Sequence, residues 1–324
     1  MIDYPVLADW QAFARWRAVP DNWRTLVGAI ARAETIAAGE MTPFRTGTNL
    51  VVDLDGRAVL KLFPPLSRSQ FVSERATLRL LCEGLPGERL SVPVPRLIAE
   101  GERDGWSYLI MTRLDGILGS EAWPALPEGE KVRVLAEIGR TIAQVQAVPP
   151  GDLLGLEPAW PDFVARQVAG CVERHRRNGL APHLLAGLDD LLRHVPAIIP
   201  LDAEPVILTG EWIPENCLLA ETDGRWRLAA VIDVGDVMTG WREYNLLGPS
   251  AFLCAGLPDR VGSLMRGYGL RPETVDAAMR RRLLTLMLLH RASDLRKIDI
   301  DGWEARIGSL ADLETVVWPA ESRR

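Results

Sequence analysis

Apolar residues recur at helical spacing near the start of the chain. Between residues 7 and 34 they form two stripes with a period of about 3.6 residues, made of Trp10, Phe13 and Trp16 and then of Trp23, Leu26 and Ile30. The segment "VPDN" interrupts the pattern between the two stripes. We therefore predict two short amphipathic helices, which make residues 1–38 an N-terminal helical extension.

From residue 49 onward, two pairs of apolar runs are each joined by an Asp-Gly pair. The runs "NLVVDL" and "AVLKLF" flank Asp55-Gly56, and the runs "PVPRLIAE" and "WSYLIMTRL" flank Asp104-Gly105. Asp-Gly between apolar runs is a strong signal for the turn of a β-hairpin. A helix over roughly residues 69–83 separates the hairpins, so residues 39–112 are predicted to form a small antiparallel sheet with one helix.

Helical patterns dominate after residue 112. The segment "EKVRVLAEIGRTIAQVQAV" carries one apolar stripe, and "ETVDAAMRRRLLTLMLLHRASDL" is a longer helical pattern whose second half is strongly apolar. A third hairpin, formed by "NCLLA" and "RWRLAAVID", is predicted to turn at Asp223-Gly224. Residues 113–324 are thus predicted to form a mainly helical domain that carries a hairpin, which gives an α+β fold.

Composition and charge narrow the class of protein. A chain of 324 residues with 48% hydrophobic and 25% charged residues fits a soluble globular protein of about two domains. Charged residues interrupt the first thirty positions, and no run reaches the ~18 apolar residues of a membrane span, so we expect a cytoplasmic protein without a membrane partner. The net charge of −6 argues against a nucleic-acid partner.

The sequence lacks the motifs of several common nucleotide and metal sites. The sequence contains no G-x-x-x-x-G-K-[ST], no G-x-G-x-x-G and no H-E-x-x-H, which disfavours P-loop nucleotidases, dinucleotide-binding dehydrogenases and zinc proteases. The four histidines and four cysteines show no metal-ligand spacing.

Lys61 is the first candidate for a functional residue. Only three of the 37 basic residues are lysines, and this one lies within the apolar strand "AVLKLF". A buried ammonium is costly without a carboxylate partner. Glu74 provides one, because it shares the inward stripe of the following helix with Phe71, Leu78 and Leu81. We predict a buried Lys61–Glu74 pair, and from this pair alone a purely structural salt bridge or a snorkelling lysine stays equally open.

The third hairpin brings two oxygen-bearing side chains to one end of its ladder. A two-residue turn at 223–224 places Asn216 opposite about Val231, and therefore near Asp233. Amide and carboxylate oxygens are suited to Mg²⁺ held jointly with nucleotide phosphates. The alternative is that each residue only begins or caps a turn. Glu211, five residues before Asn216, can orient a hydroxyl group and accept its proton.

The order of these residues resembles that of a known family. A strand lysine, a helix glutamate, an acid-x₄-asparagine and a hairpin-end aspartate follow the order of kinase-like phosphotransferases. The segments "TGEWIPEN" and "IDVGDVMTGWREYNL" resemble two motifs of the aminoglycoside phosphotransferase family, His-Gly-Asp-x₄-Asn and "IDFGDA" followed by Gly-Asp and Tyr. In layout the chain is most similar to the hygromycin B kinases, over roughly residues 40–320.

The resemblance implies a two-lobed, protein-kinase-like fold that binds ATP or GTP with Mg²⁺. Lys61, positioned by Glu74, would hold the α and β phosphates, and Asn216 and Asp233 would hold Mg²⁺. Glu211 stands at the place of the catalytic aspartate.

Two further segments are candidates for nucleotide binding. The resemblance assigns the hinge that receives adenine to residues 111–114, which include Met111 and Arg113. In "RTGTNLVV", the N–H groups of Gly47 and Thr48 can close over phosphates, although Gly-Thr-Asn also describes an ordinary turn.

Three departures from the family pattern concern phosphoryl transfer rather than nucleotide binding. Thr209 replaces the histidine, Glu211 replaces the aspartate, and Trp241 replaces the aspartate after the glycine of the second motif. The leading hypothesis is O-phosphorylation of a hydroxylated small molecule, such as the aminoglycoside hygromycin B. The alternative is a pseudokinase that binds a nucleotide or a partner without transferring phosphate; a different reaction on this fold, such as nucleotidyl transfer, has no direct support.

An acidic segment near the end of the chain is the candidate acceptor site. In the family, carboxylates near the C-terminus often face cationic sugars, and here the corresponding residues are Asp294, Asp299, Asp301 and Glu304. We therefore expect a cationic or sugar-like acceptor. The alternative is a solvated acidic loop, the commoner fate of such a run. The oligomeric state is left open.

Overall fold

In the computed structural model, which describes residues 4–45, 47–83 and 90–320, all three Asp-Gly pairs form hairpin turns. Both residues of each pair have a positive φ, between 49° and 80°. Aspartate and glycine tolerate this left-handed backbone, and two such residues in succession match the twist of the flanking strands. The three predicted hairpins are therefore confirmed.

The chain divides into two compact units. The first takes in the described parts of residues 1–84 and 93–115 together with the short segment 233–236. The second takes in the described parts of residues 85–92, 116–232 and 237–324. The domain limits predicted after residues 38 and 112 stay predictions.

The first unit is built on a five-stranded antiparallel sheet with the order β1-β2-β3-β5-β4. Its strands are β1 Met41–Pro43, β2 Leu50–Leu54, β3 Ala58–Phe63, β4 Leu97–Arg103 and β5 Trp106–Thr112. Its helices are α1 Trp10–Arg17, α2 Pro20–Ala33 and α3 Arg68–Glu83. The two predicted N-terminal helices are thus present, and their apolar stripes, apart from the exposed Trp10, pack with strand residues such as Val52 and Leu60 in one cluster.

The second unit is mainly helical. Its helices are α4 Gly119–Ala122, α5 Glu128–Ala147, α6 Trp160–Arg177, α7 Pro182–Leu185, α8 Leu188–Arg193, α9 Val195–Ile198, α10 Leu247–Phe252, α11 Pro258–Gly267, α12 Ala277–Leu289 and α13 Leu310–Val317. Its strands are β6 Ile117–Leu118, β7 Val206–Leu208, β8 Cys217–Thr222, β9 Arg225–Val231 and β10 Met238–Gly240. The predicted stripe of α5 is buried at Val134, Ile138, Thr141, Ile142 and Val145.

A β-bulge shifts the third hairpin by one residue from its predicted register. Next to the turn, Thr222 pairs with Arg225, but the register changes between Leu218 and Leu219. An extra residue on β9 then places Cys217 opposite Val231, and the N–H of Ile232 donates to the carbonyl of Asn216. The prediction that Asn216 faces Val231 is therefore wrong by one residue, because a bulge adds a residue to one strand only. Asp233 follows Ile232 directly.

No helix within the described ranges is long and apolar enough to cross a membrane.

Candidate active site

The ammonium group of Lys61 lies between two carboxylates of the first unit. Its Nζ is 2.8 Å from Oε2 of Glu74 and 2.8 Å from Oδ1 of Asp233. Lys61 and Glu74 are 5% and 2% exposed, whereas the Asp233 side chain is 38% exposed. The predicted buried pair is confirmed, and a second carboxylate shares the same cation.

This arrangement sets the charge of each group. Burial by itself would lower the pKa of Lys61, but the two carboxylates outweigh it and hold the pKa above its usual value. Burial raises the pKa of Glu74 to about 7, against the attraction of Lys61 and with added repulsion from Asp233. Burial also acts to raise the pKa of Asp233, but the Lys61 ammonium keeps it below its usual value. Asp233 is therefore the permanently ionised partner.

The raised pKa of Glu74 predicts a loss of stability as the pH rises. The folded protein holds this proton more tightly than the unfolded chain, where the usual value is 4.5. The contribution is therefore complete below pH 4.5 and is lost as the pH rises through about 7. We expect the free energy of unfolding to fall, relative to Glu74→Gln, by up to about 3 kcal/mol across this interval.

Urea unfolding of both proteins at several pH values in this interval tests the expectation. Other titrating groups are common to the two proteins, so their effects cancel in the difference. A difference that stays constant over the whole interval would contradict the raised pKa.

Helix α3 fixes the segment that carries Asp233. The hydroxyl of Ser73 donates to the carbonyl of Gly235, and the amide Nε2 of Gln70 donates to Oδ1 of Asp236 at 3.1 Å. Asp233 has φ +58°, a left-handed backbone conformation that aspartate adopts more readily than most residues. The sequence analysis missed Gln70 and Ser73, although Gln70 lies one helical turn before Glu74 and Ser73 directly before it.

The glycine loop of the first unit is exposed and is tied to helix α1. Gly47 has φ +95°, and both Gly47 and Thr48 are exposed. Nη1 of Arg17 donates to the carbonyls of Gly47 at 2.7 Å and of Asn49 at 2.8 Å. The Asn49 side chain in turn contacts Gln70 at 2.9 Å. The N-terminal extension thus supports the loop, a connection that the sequence did not indicate.

The two hinge candidates occupy different environments. Met111 is buried in β5, opposite Val59 of β3. The guanidinium of Arg113 donates to Asp53 at 2.5 Å and to Asp115 at 3.2 Å. The side chain of Arg113 therefore fastens the end of the sheet, and its backbone N–H donates to the carbonyl of Arg57 at 3.3 Å.

In the second unit, Glu211 and Asn216 are joined by hydrogen bonds. Nδ2 of Asn216 donates to the backbone carbonyl of Glu211 at 3.1 Å and to its Oε2 at 3.5 Å. With the amide nitrogen committed to these contacts, the amide oxygen is the atom with which Asn216 can bind a hard cation. Asn216 is buried within its 3-10 turn, and Glu211 is partly exposed.

Two residues that the sequence analysis missed hold the glycine before Glu211. Oδ1 of Asn245 accepts the N–H of Gly210 at 3.3 Å, and Nε2 of His290 lies 3.2 Å from the carbonyl of Gly210. The amide of Asn245 also donates to the carbonyl of Ile207 at 3.0 Å. A buried asparagine inside the apolar run "YNLLG" was the available signal for Asn245.

Thr209 and Gly240 are buried, and Trp241 is half-buried, at the positions around which the chain departs from the family pattern. The Thr209 hydroxyl is buried and has no hydrogen-bond partner among the described residues. A Cβ on Gly240 would lie 2.3 Å from the indole of Trp160, so only glycine fits there. Trp241, which follows Gly240, is half-buried. Neither Thr209 nor Trp241 reproduces the chemistry of the histidine or aspartate in the family pattern.

The acidic residues proposed for the acceptor differ in their availability. Asp294 is occupied by Arg296, whose Nε and Nη2 donate to its two oxygens at 3.0 and 2.9 Å. Asp299, Asp301 and Glu304 are exposed. Three of the four candidates are thus open to a ligand, and Asp294 serves the local fold.

Asp233 of the first unit and Asn216 of the second unit each offer an oxygen donor. Among the residues that the structure describes, no group of three or more His, Cys, Asp or Glu side chains could hold a metal ion. The ionised carboxylate of Asp233 and the amide oxygen of Asn216 are hard donors that fit Mg²⁺, an ion that commonly takes its other ligands from phosphates and water.

Comparisons with known proteins match these motifs and this fold. The model of a family described as "Phosphotransferase enzyme family" matches residues 45–286. The aminoglycoside 3'-phosphotransferase of Streptomyces fradiae is 28% identical over 159 residues, covering 45% of this chain and 53% of that protein. The chain therefore spans about half the length of this relative.

Solved structures share the fold at low sequence identity. The GDP and kanamycin complex of APH(2'')-IIIa is 17% identical, with a TM-score of 0.64 over 90% of this chain and 98% of the other. The ternary complex of APH(2'')-IIa with streptomycin and ATP is 15% identical, with a TM-score of 0.57 over 86% and 94%. These likenesses support the α+β fold predicted from the sequence, with its sheet-based and helical parts. Because the family model covers most of the sequence, the chain belongs to the phosphotransferase enzyme family.

Proposed function

We propose that the protein transfers the γ-phosphoryl group of ATP or GTP to a hydroxyl group of an aminoglycoside-like small molecule. The observation that carries this proposal is the Lys61 ammonium held between Glu74 and Asp233. A structural salt bridge needs one carboxylate, whereas here a second, ionised carboxylate contacts the same cation and is 38% exposed, so it is open to a ligand. In a phosphotransferase site, the lysine binds phosphates and the second carboxylate binds a metal ion, which accounts for both carboxylates beside Lys61.

The residues of the first unit would bind the nucleotide. Lys61 stays protonated beside its two carboxylates and would hold the α and β phosphates. Glu74 keeps the ammonium in place from helix α3. The N–H groups of Gly47 and Thr48 would approach the phosphates, and the chain at Met111 and Arg113 would receive the base.

Asp233 and Asn216 would hold Mg²⁺ together with the phosphates. The bound ion would neutralise charge that develops on the transferred phosphoryl group. Asp233 is suited to this role because Lys61 keeps it ionised. Asn216 is suited to it because its amide nitrogen is already committed to Glu211.

Glu211 would orient the acceptor hydroxyl and accept its proton. Glutamate and aspartate have nearly the same intrinsic acidity, so the replacement changes reach rather than basicity. Phosphoryl transfer through a loose transition state asks little proton abstraction of its base. A glutamate that is held in place can therefore serve.

The acceptor is proposed to be a cationic sugar. The related structures of APH(2'')-IIIa and APH(2'')-IIa are complexes with kanamycin and streptomycin. The exposed carboxylates Asp299, Asp301 and Glu304 would attract ammonium groups of such a molecule. Hygromycin B is the finer proposal within this class, resting on the layout of the motifs.

Phosphorus NMR of the purified protein with Mg-ATP and a panel of aminoglycosides, hygromycin B included, tests the proposal. We expect a new phosphomonoester signal together with ADP, in a reaction followed over hours. The alternative function as a pseudokinase is favoured by the buried hydroxyl of Thr209, which has no hydrogen-bond partner among the residues that the structure describes. Nucleotide binding without ADP formation across the panel would favour the pseudokinase and count against transfer.

A further inference from the structure

The backbone on both sides of Glu211 is held by three side chains from different elements. The N–H of Gly210 donates to Asn245, the carbonyl of Gly210 contacts His290, and the carbonyl of Glu211 accepts from Asn216. Gly210 has φ +72°, and glycine has more backbone freedom than any other residue. These bonds therefore hold the backbone from which the Glu211 side chain extends.

The hydrogen bonds of His290 define its tautomer. The N–H of Ala292 donates to Nδ1 of His290 at 3.2 Å, so Nδ1 must be the unprotonated nitrogen. Nε2 then carries the proton and donates to the carbonyl of Gly210 at 3.2 Å. The imidazole thus acts as a donor aimed at the Gly210–Glu211 peptide group, which is planar and transmits this constraint to Glu211.

A stack of aromatic rings keeps the imidazole in position. The rings of His290 and Tyr244 are stacked with their centroids 5.0 Å apart and their planes 18° from parallel. Tyr244 is itself packed by Trp160 and Phe163, whose rings contact it edge-on with centroid distances of 5.9 and 5.8 Å. Because Tyr244 is buried, the ring on which His290 stacks is enclosed by the core. His290 itself lies at the C-terminal end of helix α12.

We propose that His290 is a positioning residue for Glu211. From the end of helix α12 it supplies an imidazole to the loop before Glu211, where Thr209 occupies the place of the family's histidine. This inference rests on the proposed function of Glu211. His290 lies outside residues 45–286, the part of the chain that the family model matches. The buried hydroxyl of Thr209 makes no hydrogen bond within the described part of the chain, so this side chain does not anchor the loop there.

The test compares two substitutions of His290 with a matched control. His290→Phe keeps a ring against Tyr244 and removes the donor, whereas His290→Gln keeps an N–H donor. His183→Phe makes the same chemical change on an exposed histidine of helix α7. Amide hydrogen exchange over residues 209–216, the kcat for transfer and the Kd of Mg-ATP are measured for each protein.

We expect His290→Phe to speed exchange in this segment roughly fivefold, as for the loss of one hydrogen bond, and to lower kcat by about 10- to 100-fold through misplacement of Glu211. The Kd of Mg-ATP should stay within about twofold, because the nucleotide-binding residues are not touched. His290→Gln should restore most of both losses, and His183→Phe should match the wild type.

Wild-type exchange and kcat in folded His290→Phe would overturn the inference while leaving the proposed function intact. Faster exchange in a protein whose wild type forms no phosphoester would support the positioning role and defeat the proposed function. If His290→Phe fails to fold, folded His290→Leu, which also lacks the donor, decides: exchange at least fivefold faster than in the wild type supports the inference, and exchange as in the wild type overturns it.

Discussion

Asp233→Asn should lower the rate of phosphoryl transfer by roughly 10³-fold, because it removes the charged oxygen proposed to hold Mg²⁺, an effect of several kcal/mol. The amide still offers Lys61 an oxygen, and Lys61 and Glu74 then form a neutral pair. The variant should therefore fold normally while its affinity for Mg-ATP falls. Titration calorimetry and steady-state kinetics measure the two effects.

A matched control lies at the other end of the same hairpin. Asp223→Asn makes the identical chemical change at an exposed turn, where asparagine also tolerates the positive φ. It should behave as the wild type. Lys61→Ala should likewise lose nucleotide binding. Unaltered Mg-ATP binding in both Asp233→Asn and Lys61→Ala would defeat the assignment of the site.

Glu211→Gln should reduce kcat by about 10²- to 10⁴-fold, the contribution of a general base together with its orienting charge. Glu211→Asp should reduce it by about tenfold or more, because the carboxylate retreats by over ~1 Å from a backbone that Asn216 and His290 hold in place. Both variants should keep the Mg-ATP affinity of the wild type. Single-turnover kinetics and calorimetry separate the two quantities.

Glu215→Gln is the control for this pair, since Glu215 is an exposed glutamate on the turn that follows Glu211. It should leave kcat unchanged. A Glu211→Gln variant as fast as the wild type would show that Glu211 takes no part in transfer. A rise in rate for Glu211→Asp would show instead that the loop still suits aspartate.

Local chemistry made much of the fold predictable. The Asp-Gly pairs made the turns predictable because few other residue pairs accept two consecutive positive φ angles. Helix α5 was predictable because its apolar stripe has a helical period. Lys61 and Glu74 could be paired because an inward-facing charge on each of two packed elements needs a partner.

The remaining features depend on contacts that no local pattern encodes. The bulge in the third hairpin contains no glycine, so the sequence carried no signal for the one-residue change in the strand register at Asn216. His290 and Gly210 are 80 residues apart, and only the packing of helix α12 brings them together. Arg17 reaches the loop at Gly47 across 30 residues for the same reason.

The close packing of Gly240 on Trp160 constrains how this protein can evolve. Leu208 of strand β7 also lies within 3.1 Å of a Cβ placed on Gly240, so the glycine is enclosed from two directions. A side chain can be accepted there only after Trp160 has become smaller, yet Trp160 also supports Tyr244 and forms a hydrogen bond with the carbonyl of Pro200. The order of substitutions therefore matters: a lineage that enlarges residue 240 first must displace Trp160, and one that shortens Trp160 first weakens the packing of Tyr244, on which His290 stacks.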